Sequence, residues 1–287
     1  MEYESPDIKV YRKELDETTT ISEEPTTSTL LRVLTYRLTC DSSYWQERLD
    51  AIMKIIRDTG TDVACLHGVT EDWWKRIKTA CGKYFVPFQI FVEEGNTEGT
   101  VLMCNARTTR IVDGTQPYYY DFPGSEGRVI GVELVSLRAR AKGSFHIVTT
   151  ELGQDDEQRA TEANIVAQVL QSLKNYILAG EFPICEEREE ADNILNHLAG
   201  RDQWRHMGCP QKLRYTRRRP EREPDEDKED DETEEQSTKK RSEFIRSARI
   251  YSRMTVSSLC LVGLGRTSDS VQQPPSNCYG LLATYVL

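Results

Sequence analysis

The chain has 287 residues, 38% of them hydrophobic and 29% charged, with a formal net charge of -10. That is enough for one large domain or two small ones, and it is more polar than a compact globular average. No stretch approaches the roughly 18 uninterrupted apolar residues of a membrane helix. The opening Met-Glu-Tyr-Glu-Ser-Pro has neither the basic nor the apolar region of a secretory signal, so a nuclear or cytoplasmic protein without membrane contact is expected. The acidity is local. Residues 219–236 hold 11 acids and 3 bases, and the N-terminal segment is also acid-rich, which leaves a near-neutral body. Total charge therefore neither supports nor excludes a nucleic-acid partner.

Residues 1–30 are rich in Glu, Thr, Ser and Pro without a sustained period, which predicts a disordered or loosely held arm. Leu31–Tyr36 reads as a strand. Ser43 and Gln46 have the spacing of a capping box ahead of a helix whose apolar stripe is Trp45, Leu49, Ile52, Met53 and Ile56, and which Gly60 stops. Asp62–Leu66 reads as a buried strand. A second helix over Glu71–Ala80 ends at Gly82 and carries Trp73, Trp74 and Ile77, whose spacing suits a core face better than a partner-binding stripe. Phe88–Val92, Thr100–Cys104, Val129–Leu137 and Phe145–Thr149 are strand-like and separated by glycine-containing turns. A third helix over Asp156–Asn175 sets Ala163, Val166, Leu170 and Leu173 on one face. Strands follow at Tyr176–Ala179, Arg249–Tyr251, Val256–Val262 and Leu281–Val286. This mixture predicts layered α/β sheets rather than a dinucleotide-binding wind, and no glycine-rich nucleotide loop is present.

Residues 219–241 form an acidic insertion with too little apolar surface to pack, expected as a solvated loop within a single domain spanning 31–287. Arg217–Arg219 and Lys239–Arg241 flank it. They read either as neutralising ends or as a nuclear-localisation or nucleic-acid element. The eight cysteines contain no C-x-x-C pair, which reads as reduced thiols, and His206-x-x-Cys209 lacks the second half of a zinc site. No resident cofactor or metal is expected.

Six segments taken in order resemble the endonuclease/exonuclease/phosphatase superfamily, most closely its tyrosyl-DNA phosphodiesterase 2 family. Leu31-Arg-Val-Leu-Thr-Tyr-Arg37 is similar to the opening strand ending Thr-Trp-Asn, and Thr61–Val69 to the strand ending Leu-Gln-Glu-Val. Thr149-Thr-Glu-Leu152 sits where the family has Thr-Ser-His-Leu, and Leu178-Ala-Gly-Glu-Phe-Pro183 where it has Ala-Gly-Asp-x-Asn. Arg246–Tyr251 parallels Arg-x-Asp-Arg-Ile-Phe, and Ser276–Leu282 the closing Ser-Asp-His-x-Gly-Leu-Leu. The resemblance implies a four-layer α/β/β/α sandwich and a Mg²⁺-dependent phosphodiesterase ancestry.

Each match lacks its reactive group. The resemblance places Gly68 at the metal-binding Glu, Arg37 at the first-strand Asn and Glu151 at the phosphate-contacting His. Glu181 and Pro183 stand at the Asp and Asn of the fourth motif, Ala248 at the Asp before Arg249, and Asn277-Cys278 at the terminal Asp-His pair. The frame is kept while the chemistry has departed, which predicts a pseudoenzyme acting as a protein-interaction or scaffold module, with partners that the sequence does not name. Two alternatives stay open: a divergent Mg²⁺-dependent 5′-tyrosyl-DNA phosphodiesterase with a rearranged site around Glu151 and Glu181, and a non-catalytic nucleic-acid binder using Arg37 and Arg217–Arg219. A Cys278–His67 thiol and base pair is a weaker reading than packed side chains. His146, on its Phe-His-Ile strand, reads as structural.

Overall fold

The computed structural model describes residues 9–10, 29–38, 44–81, 84–90, 98–125, 127–138, 143–183, 193–195, 200–208, 210, 216, 246–268, 270–271 and 273–287. The acidic insertion with its basic flanks, Cys209 of the His-Cys pair, and Gly82 all lie outside them.

Two β-α-β units organise the chain. In the first, β2 (Leu30–Arg37), α1 (Trp45–Asp58) and β3 (Val63–Val69) form a parallel strand pair with a helical crossover. In the second, β9 (Ser144–Thr150), α3 (Asp156–Gln171) and β10 (Tyr176–Glu181) repeat the arrangement. Parallel neighbours need such a crossover, and the helix lies over the sheet that its strands build.

Antiparallel strands extend each unit. The first becomes a sheet in the order β13-β14-β2-β3-β5-β4, with β4 (Phe85–Ile90), β5 (Gly99–Asn105), β13 (Val256–Val262) and β14 (Gly280–Val286). The second becomes β1-β7-β8-β9-β10-β12-β11, with β6 (Thr109–Ile111) also on β8 (Arg128–Ser136). Its remaining strands are β1 (Lys9–Val10), β7 (Tyr118–Asp121), β11 (Arg201–Asp202) and β12 (Ala248–Ser252). Lys9–Val10 pairs with Tyr118–Tyr119, so two residues of the expected loose arm join a sheet edge.

Alternation along the strands sorts side chains into layers. Leu31, Val33, Val63, Cys65, Ile130, Val132, Ile147, Ile177 and Ile250 meet between the sheets. Leu34, Tyr36, Ala64 and Leu66 face the other way, under Leu49, Ile52, Met53 and Ile56 of α1 and Trp73, Trp74 and Ile77 of α2 (Glu71–Cys81). Val148, Leu178 and Tyr251 lie under Ala163, Val166 and Leu170 of α3. The result is the four-layer α/β/β/α sandwich. Both Trp73 and Trp74 belong to the core, and Trp45 stacks on Trp73 at 6.3 Å, joining the two helices.

Three local expectations are corrected. The N-cap of α1 is Tyr44, in a left-handed conformation with no side-chain cap hydrogen bond, while Ser43 of the expected capping box with Gln46 lies outside the described residues. The third helix ends at Gln171, not Asn175: Ser172 is its C-cap, and Leu173 N–H turns back to the Leu170 carbonyl at 3.1 Å, leaving a short link into β10. The strand expected at Phe88–Val92 spans Phe85–Ile90, since Phe85 already pairs with Asn105.

Candidate functional site

Parity also builds the site. In β2, Leu31 and Val33 face the opposite sheet, and the same alternation brings Arg37 to that side at the strand end; in β3, Val63 and Cys65 are followed by His67. From the opposing sheet, Ile147 leads to Thr149 and then Glu151, and Ala179 to Glu181. The parallel strands of both units thus deliver their C-terminal ends to one place. Backbone pairing continues there: Glu151 bridges Glu181, and Leu152 N–H donates to the Glu181 carbonyl at 3.0 Å.

The Arg37 guanidinium occupies the centre. Its Nη2 lies 3.2 Å from Glu98 Oε2, and its Nη1 forms an ion pair with Glu151. One cationic side chain from the first sheet therefore joins a carboxylate beside β5 to a carboxylate on the second sheet. Glu181, paired with Glu151 through the backbone, is buried at 3% exposure.

Gly68 closes the position that the sequence resemblance assigns to a metal-binding carboxylate. It has φ +68°, and the β3–β5 register slips between Leu66 and Val69, the mark of a bulge. A Cβ there would lie 2.4 Å from the Leu38 carbonyl oxygen and 3.3 Å from Glu98 Oε2. The backbone here is a left-handed bulge with no room for a Cβ, so replacing this glycine would not simply return a ligand. The nearby Glu98 carboxylate is engaged with Arg37.

Small polar groups hold the walls. Ser276 Oγ donates to the Arg37 carbonyl at 2.8 Å and accepts from Cys278 N–H at 3.1 Å. Thr216 Oγ1 accepts from Ala248 N–H at 2.9 Å, and its carbonyl accepts from Tyr279 N–H at 2.6 Å. Cys278, Ala248 and Pro183 are buried, while Asn277 is exposed. Arg249, fully buried, donates from Nε to the Arg246 carbonyl at 3.0 Å. Arg246 lies in a buried ion pair with Asp202 and stacks 4.4 Å over Trp204 of the short helix α4 (Gln203–His206).

His67 is fully buried, with Nδ1 3.3 Å from Thr100 Oγ1 and Nε2 3.4 Å from Thr149 Oγ1. Burial, and then the positive charge of Arg37, pushes its pKa down to about 3, so it is neutral. Both ring nitrogens are committed to threonines rather than to Cys278, which removes the thiol and base pair. His146 contacts the Tyr118 hydroxyl at 3.3 Å, far along the sheet, in a structural role.

The structure thus brings Arg37, Glu151 and Glu181 together, with Gly68, Ala248 and Cys278 as the surrounding backbone and wall. Sequence reasoning missed Glu98, Ser276 and Thr216. Glu98 had one available signal, a carboxylate directly ahead of the strand read at Thr100–Cys104, but not that strand's place beside β3. Thr216, within a polar stretch, had none.

A divalent ion of the Mg²⁺ type needs several converging oxygen donors. Gly68 and Ala248 supply none, and a permanent cation is already seated between Glu98 and Glu151. Among the described residues no group of three or more His, Cys, Asp or Glu side chains is placed to hold a metal. The donor set does not fit the ion that the sequence resemblance implies.

No protein-family model matches the chain, and no curated protein matches it in sequence. Solved structures do. D. rerio TDP2 complexed with a single-strand DNA product is 15% identical with a TM-score of 0.71, covering 89% of this chain and 98% of that one. Truncated Caenorhabditis elegans TDP2 is 15% identical at 0.68, covering 90% and 98%. An endonuclease/exonuclease/phosphatase protein from Bacteroides vulgatus is 14% identical at 0.66, covering 89% and 98%. Likeness at this identity is likeness of fold: the chain has the sandwich of endonuclease/exonuclease/phosphatase proteins, with TDP2 among the structures it resembles.

Proposed function

We propose that this chain is a non-hydrolysing relative of the phosphodiesterases, serving as a protein-interaction or scaffold module within a nucleic-acid-processing complex in the nucleus or cytoplasm. One observation carries the reading: the Arg37 guanidinium lies between the Glu98 and Glu151 carboxylates where metal-dependent hydrolysis would need a metal. Gly68, held in a left-handed bulge, adds to it. A positioned general base is worth about 10²–10⁴ in rate and a bound metal several kcal/mol beyond that. Parts of a catalytic unit act together, so losing ligand and acid–base groups at once removes nearly all of the acceleration.

A second reading, a retained nucleic-acid function, is favoured by the fold likeness to a TDP2 that holds a single-strand DNA product. One experiment separates the two. The chain is incubated with Mg²⁺ and an oligonucleotide carrying a 5′-phosphotyrosyl end, beside a Glu181→Ala variant. Release of tyrosine at background rate by both supports the module. Release by the wild type alone overturns it in favour of a rearranged site. Binding of the uncleaved oligonucleotide that weakens steeply with salt identifies a non-catalytic nucleic-acid binder.

A further inference from the structure

At the pole of the first sheet opposite the site lies a cleft of about 290 Å³, open to solvent on one side. It forms where α1 and α2 end, β3 begins and β5 finishes. Its floor is apolar and belongs to the core: Met53, Ile56, Cys81 and Phe85 are all buried. Its rim carries two guanidinium groups, Arg57 in the last turn of α1 and Arg107 just past β5. Among the described residues no carboxylate lines it, in a chain whose net charge is -10.

These two arginines differ from those that are charge-paired. Arg37, Arg76, Arg110, Arg128, Arg138, Arg159 and Arg246 all meet carboxylates. Among the described residues Arg57 has no acidic partner, and Arg107 stacks 3.7 Å over the half-exposed Tyr84 ring, which fixes the guanidinium in place without neutralising it. Helix C-termini carry partial negative charge, which accounts for a cation at Arg57 and offsets part of its field. The offset is partial, and Arg107 lies beyond the helices.

We propose that this cleft docks an acidic peptide segment, taking one apolar side chain on the Met53–Ile56–Phe85 floor while flanking Asp or Glu residues meet Arg57 and Arg107. Size decides between a peptide anchor and a whole small molecule. Pockets that enclose a drug-sized ligand run to about 300–1,000 Å³, and a half-open cleft at the bottom of that range holds a side chain better than a complete ligand. Charge complementarity decides the sign of the partner. The cleft shares no residue with the Arg37 site, so this inference stands whether or not that site hydrolyses anything.

The probe is a fluorescein-labelled peptide with one Phe between runs of Asp and Glu, followed by fluorescence anisotropy on the full chain. Saturable binding is expected. It should weaken at least about tenfold in an Arg57→Glu/Arg107→Glu variant, when Phe is replaced by Ser, and when NaCl rises from about 50 to about 500 mM. Both arginines are exposed, so the variant should melt as the wild type does. Binding that ignores the double variant, binding equally tight without the Phe, or no saturation at millimolar peptide would each overturn the proposal. So would a poly-dT oligonucleotide competing at this cleft better than the peptide.

Discussion

The two β-α-β units share one plan and end differently. In both, parallel strands run under a helix and release their C-terminal ends at the same pole. The second unit ends in carboxylates, Glu151 and Glu181. The first ends in a guanidinium, Arg37, and a bare left-handed turn, Gly68. Their interiors are equivalent, close-packed and apolar, whereas their ends are complementary in charge rather than both acidic. The contrast separates two roles that one strand can carry: buried residues hold the sandwich, and the last one or two residues decide what its mouth does. Here one unit's ending has come to neutralise the other's.

That division can be pressed from both sides. Leu66→Ala, one residue inside His67 and fully buried under the helices, should destabilise by about 2–5 kcal/mol in a denaturant titration. An effect below 1 kcal/mol would mean that the interior is less committed than its burial implies. At the ending itself, Gly68→Ala should cost about 3 kcal/mol, because φ +68° disfavours any side chain and the Leu38 carbonyl blocks its Cβ. A neutral result would show that the bulge relaxes readily and that a Glu could be accommodated there.

The boundary between interior and ending runs through His67. The unfolded chain takes up its proton near pH 6.5, but the folded site resists it down to about 3. Between those values the unfolded state binds more protons, so this residue lowers stability as pH falls, and has no such effect above pH 6.5. The His67→Gln variant should therefore gain roughly 2 kcal/mol relative to wild type on going from about pH 6.5 to about pH 4.5. Parallel pH profiles would place a protonated imidazole in the fold. Smaller still, Arg37→Ala should cost no more than about 1 kcal/mol, since its ion pairs are partly exposed and screened. A larger loss would make Arg37 a structural staple between the sheets. Least of all, deleting residues 220–240 should leave the melting temperature nearly unchanged.

Legibility followed the same line. Repeating apolar patterns made β2, α1, β3 and β10 readable, because period 2 and period 3.6 are written over several residues and small errors average out. Trp73 and Trp74 were assignable to the core for that reason. Single-residue geometry was not readable: nothing in Ser43-Tyr44 announced a left-handed cap, and Gly68 could be seen as lacking a ligand side chain but not as a left-handed bulge. Short pairings such as β6 and β7 escaped because they are set by their partner β8 rather than by their own pattern. Glu98 escaped because its role comes from the adjacency of β5 to β3 in the sheet, a long-range fact.

The central claim is that Arg37 and Gly68 have closed the site to a divalent cation, and titration calorimetry of the wild-type chain with Mg²⁺ at millimolar concentration tests it most directly. The account predicts only the weak, non-saturating heat of ions meeting surface carboxylates. A saturable single-site isotherm that disappears in Glu181→Ala would contradict it.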